Sequence, residues 1–105
     1  MPGSMVSVGV IAGAVILTAG LASVGTASVA GQRLASAADA AALAAADAAS
    51  GAATGVPCEL AGEVAGTFGA RVEACDLDGL VATVTVEVRV GPVAARVSAR
   101  AGPPP

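Results

Sequence analysis

The chain has 105 residues, net charge −3, no histidine and one aromatic residue, Phe68; 55% of it is hydrophobic and only 12% charged, with a mean hydropathy of +0.82. That length allows at most one small globular domain, and a charged fraction about half the ~25% of soluble domains marks part of the chain as membrane material. Its five basic residues, all arginines, are scattered, so no basic stripe suits phosphates and nucleic acid is not an expected partner. Without histidine, a P-loop motif or an aromatic pocket, no enzyme activity, cofactor or metal site is expected.

The stretch "MVSVGVIAGAVILTAGLASV", residues 5–24, carries no charge. At ~1.5 Å per helical residue it crosses a hydrocarbon core of ~30 Å, which predicts a transmembrane segment. The competing expectation is a secretory signal peptide cut after Ala30, with Ser28 and Ala30 at the small-residue positions. "MPGS" lacks the basic n-region of such a peptide, and the helical pattern runs on past the cut, so spanning is preferred. Gly9 and Gly13 form a GxxxG pair, and Ala19 and Ser23 repeat the small-xxx-small spacing. Such a face admits a second helix and hence a homo-oligomer, although a span this rich in Gly and Ala produces these pairs by chance.

Orientation rests on two opposed signals. Arg33, the first charge after the span, votes for a cytoplasmic C-terminal side by the positive-inside tendency. The cysteine pair further on favours an oxidising compartment, and the C-terminal part is therefore expected outside.

"RLASAADAAALAAADAAS", residues 33–50, contains no Pro or Gly, and alanine has the highest helix propensity. The helix is expected to continue as one rod from about Ser4 to Ser50, roughly 70 Å long. Gly51, Gly55 and Pro57 stop it. Thin on every side, the alanine surface suits close packing among a crowd of similar helices. Asp39 and Asp47, with Ser36 and Ser50 nearby, form one polar edge, read as solvated.

An uncharged span beginning near a Gly-Ser, then an arginine and the "AADAAALAAA" run, resembles the actinobacterial TadE/TadG-like proteins of tight-adherence (Flp) pilus and type IV pilus-like secretion clusters. The resemblance covers residues 3–53, and the C-terminal part agrees more loosely. It implies a small membrane-inserted, pilin-like structural or accessory subunit, with the lipid bilayer and other pilin-like or Tad secretion-system membrane subunits as partners. The chain departs from pilin-type precursors in having no acid before Asp39.

After the linker "GAATGVP", residues 51–57, the stretch "PCELAGEVAGTFGA" spaces Leu60, Val64 and Phe68 as one face of a short helix. The period then changes to two. "RVEACDL" forms a first strand, Asp78-Gly79 a hairpin turn, and a second strand sets Val84, Val86, Val88 and Val90 against Thr83, Thr85, Glu87 and Arg89. Beyond Gly91-Pro92 a third strand turns Val93, Ala95 and Val97 inward and Arg96, Ser98 and Arg100 outward, and residues 101–105 form an unstructured tail.

Cys58 and Cys75 are placed to tie the short helix to the sheet, which a domain this small with one aromatic needs. Two buried free thiols are the alternative; a zinc or redox site lacks the usual ligands and spacing. The expected protein is α+β and pilin-like. It has a transmembrane segment at 5–24, an Ala-rich continuation at 25–50 and a head of one helix on about three antiparallel strands at 58–100. Its expected place is the cell membrane, single-pass, with the head extracytoplasmic. The alternatives are a secreted protein released near Ala30 and an anchored extracytoplasmic protein unrelated to pili.

Overall fold

The alanines dictate the first element. In a computed structural model describing residues 2–104, helix α1 covers Pro2–Ser50. It ends where Gly51 takes a φ of 83°, with the Ala53 N–H donating back to the Asp47 carbonyl at 3.0 Å. Helix α2 (Pro57–Thr67) and strands β1 (Arg71–Asp78), β2 (Val81–Val90) and β3 (Val93–Ala101) follow, the strands forming one antiparallel sheet in the order β1-β2-β3. The architecture is α+β, as the periodicities require. The chain divides into two compact units, the second beginning at Gln32.

In the first unit, residues of α1 up to Gly31, the large apolar side chains are bare. Ile11, Ile16 and Leu21 are 65%, 71% and 72% exposed. The helix is long and apolar enough to cross a membrane, with a most apolar window of mean hydropathy 2.2. Four of its hydroxyls are answered within the helix. Ser7, Thr18, Ser23 and Thr26 each donate to the carbonyl four residues back, at 2.8–3.0 Å, which removes the cost of placing these donors in hydrocarbon.

The second unit builds its core from the alanines. Leu34, Ala37, Ala38, Ala41, Ala42, Ala45 and Ala46 are buried in one cluster with Ala61 and Ala65 of α2 and Ala82, Val84 and Val86 of β2. The expectation that the alanine surface serves a crowd of other helices is overturned on this face, which packs against the protein's own sheet and α2. The physical reason is the 3.6 period: residues three and four apart share a face even when nearly every position is alanine. Asp39, Ser36 and Ser50 of the expected polar edge are exposed, whereas Asp47 is half-buried beside Leu80 and Gly102.

Three finer expectations shift. Leu60, Val64 and Phe68 are only half-buried, and the innermost positions of α2 are Ala61 and Ala65, because a helix held close to its neighbour accepts only methyl groups. Phe68 lies just past the helix and packs on the core edge, where Gly69 (φ 73°) closes α2. The N–H groups of Gly69 and Ala70 bond to the carbonyls of Gly66 and Ala65 there, both at 3.0 Å. The β1–β2 turn is formed by Gly79 and Leu80, with Asp78 as the last residue of β1. On β3, Val93 and Ala95 share the inward parity of Val97 but are exposed, as is Val90 opposite Val93, because this hairpin extends beyond the core.

Candidate functional site

Three places carry the residues singled out from sequence. On the apolar helix, a side chain built at Gly9 or Gly13 meets nothing within 4 Å, so both present open helix surface. At ~100° per residue Gly20 falls within about 20° of Gly9 and Gly13, whereas Ala19 lies about 80–120° and Ser23 about 40–80° from these glycines. The small residues therefore make one stripe through the three glycines and a second beside it. Ser23 has its hydroxyl engaged on the Ala19 carbonyl at 2.9 Å and presents mainly its small volume.

Cys58 and Cys75 are joined by a disulfide, with Cα atoms 5.9 Å apart across a sequence separation of 17 residues. Cys58 is the second residue of α2, whose first turn opens with Pro57, and Cys75 pairs with Val84 in the β1–β2 ladder. The bond thus fastens the start of α2 to the sheet beside one of its two fully buried valines.

The third place was not legible in the sequence. Register sets Arg71 opposite Glu87 and Glu87 opposite Arg96, forming a charged row across all three strands. Glu87 is 6% exposed, with Oε1 3.4 Å from Arg71 Nη2 and Oε2 3.4 Å from Arg96 Nε. A shift in register between Val72 and Ala74 brings Glu73 to Arg96, Oε2 to Nε at 2.7 Å. Alternation alone assigned Glu87 and Arg96 to the polar face; only the pairing shows that they meet. A carboxylate held between two guanidiniums is a structural group rather than a proton-transfer group. Next to this row the Thr85 and Ser98 hydroxyls are 2.6 Å apart.

A cleft of about 120 Å³ lies at the other end of the unit between Leu43, Ala46, Asp47 and Ser50 of α1, Leu80 of the turn, and Gly102 and Pro103. Among the described residues no three of the metal-ligating types converge. The chain matches no family model, no curated protein and no solved structure.

Proposed function

We propose that the protein is a membrane-anchored, pilin-like subunit of TadE/TadG type, a structural or accessory component of a tight-adherence pilus or a type IV pilus-like secretion system. In this reading the apolar segment passes once through the cell membrane and the sheet-bearing unit is displayed outside the cytoplasm. The observation that carries it is the contrast along α1. Ala37, Ala38, Ala41, Ala42, Ala45 and Ala46 are buried in the core of their own unit, whereas the large apolar residues before Gly31 are exposed. Apolar surface on that scale calls for lipid or neighbouring helices, and the glycine stripe suits the latter. The partners are then the bilayer, other pilin-like or secretion-system membrane subunits and a second copy of the same helix.

Ile16→Arg is the test, since a charge at mid-span costs about 2.5–3.5 kcal/mol by insertion scales. The variant is expected to abolish assembly of the neighbouring secretion machine while the sheet-bearing unit still folds. Normal assembly with Ile16→Arg would remove the proposal.

One observation favours a second reading. The second compact unit begins at Gln32, two residues beyond the candidate cleavage point after Ala30. A signal peptidase cut there would release a unit whose core is whole. Full-length chain confined to the membrane fraction would eliminate this alternative.

A further inference from the structure

The sheet of the second unit packs on one side only. Helix α2 and the part of α1 within this unit lie against the side of Val84 and Val86. The opposite side, to which Thr83, Thr85 and Glu87 alternate, carries neither helix. Its middle is small and β-branched: Val81, Thr83 and Thr85 of β2 are half-buried, and the Thr85 hydroxyl is tied to that of Ser98 at 2.6 Å.

Charge on this side is sorted by strand. The edge strand β1 contributes Asp76 and Asp78, and the other edge strand, β3, contributes Arg100; all three are exposed and none has an oppositely charged partner among the described residues. Register sets Asp76 and Arg100 in one row, on either side of Thr83. The row of Glu87 leaves no such demand, because Arg71, Glu73, Glu87 and Arg96 satisfy one another. An acid at one edge and a cation at the other, at the same level, is a pattern that a two-fold axis running along the strands completes. Such an axis stacks β2 on β2 of a second copy and β1 on its β3, so that each Arg100 meets the acids of the other sheet. An axis across the strands would stack acid on acid, and joining β3 edge to β3 edge would bring Arg100 no acid at all.

We propose that two copies of the chain pair face to face through this side of the sheet, about a two-fold axis along the strands, with Arg100 of each on Asp76 and Asp78 of the other. The stripe of Val81, Thr83 and Thr85 is the middle of the contact and the charged edge strands are its rim. At ~4.8 Å between strands and ~3.3 Å per residue the face measures about 14 by 27 Å, well under the ~800 Å² per partner of a standard interface. The contact is therefore weak and forms where copies are crowded. It involves the second unit alone and is independent of the span.

Both native cysteines are closed in the disulfide, so one introduced cysteine is the only free thiol. Full-length Thr83→Cys protein, reconstituted at high density in phosphatidylcholine vesicles, is treated with a short bismaleimide and the dimer is read on denaturing gels. Leu43→Cys, at a position 56% exposed on α1, is the comparison. Thr83→Cys is expected to give dimer, because the axis brings this position onto itself, and Leu43→Cys to give little. In the Thr83→Cys chain, Arg100→Asp is expected to lower the dimer yield about fivefold, and so is the pair Asp76→Arg and Asp78→Arg. Mixing these two variants in equal amounts should restore it, since each then offers the charge the other lacks; recovery on mixing also excludes misfolding as the cause of the drop. No dimer from Thr83→Cys overturns the face-to-face contact. Edge-to-edge joining of β3 to β1 of the next copy would give that result, for it leaves the two Thr83 positions three strands apart. Dimer from Leu43→Cys alone overturns the contact as well and assigns association to α1. A Thr83→Cys dimer that ignores the charge variants, or that mixing fails to restore, overturns the pairing of Arg100 with Asp76 and Asp78.

Discussion

Glu87 is the residue on which the sheet's outer face turns. A carboxylate 6% exposed is tolerated because Arg71 and Arg96 flank it in register, and Arg96 also holds Glu73. Arg96→Ala removes contacts to both acids at once. Because Arg96 is itself 58% exposed, the loss is expected at about 1–2 kcal/mol, below that of a fully buried pair, and urea titration of the second unit would measure it. Adding Glu87→Gln to that variant should recover part of the loss, since the amide no longer carries an unmatched charge. At the same scale, Ala41 has no exposed surface whereas Leu43 is 56% exposed. Ala41→Leu is expected to destabilise by about 1–3 kcal/mol through overpacking, and Leu43→Ala to cost little, as read by the same titration. Equal tolerance at the two positions would mean that the alanine face is not against the sheet.

At the scale of elements, the protein is one helix in two environments and a sheet fastened at one corner. Among the described residues the largest fully buried side chains of the second unit are Val84 and Val86, so its core is thin. The Cys58–Cys75 bond compensates by tying α2 to the sheet and restricting the unfolded chain. Replacing both cysteines by serine is expected to lower stability by ~3 kcal/mol, lowering the melting temperature by roughly 10–20 °C in a unit of this size. Calorimetry on the oxidised and serine forms would measure the difference. The helix positions followed from the unbroken alanine run and from Pro57, and the strands from the alternation of Val with Thr, Glu and Arg. The buried face of α2 did not, because its innermost residues are alanines and the hydropathy pattern weighs leucine and valine more heavily. Nor did the register shift before Ala74, which has no glycine to mark it.

For the whole molecule, the question is which compartment each part occupies. The intact mass of protein purified from host membranes, with and without reduction before alkylation, is expected to be full length and to gain two alkyl groups only after reduction. A chain beginning near Gly31 would identify the apolar segment as a signal peptide. Full-length chain with both thiols free would reverse the proposed orientation, since a reducing compartment does not keep such a bond closed.

The sequence by itself determined what local physics controls. Composition and an uncharged run made a helix long and apolar enough for a membrane, alanine propensity extended it, period-two alternation made strands, and the need of a small core paired the cysteines. Only the tertiary structure decided which side of the alanine helix is interior, that Glu87 meets Arg71 and Arg96, and that Val90 and Val93 overhang the core. These depend on register and on the spacing between packed elements. An alanine-rich helix has nearly the same hydropathy all round, so its buried side is set by the sheet it meets.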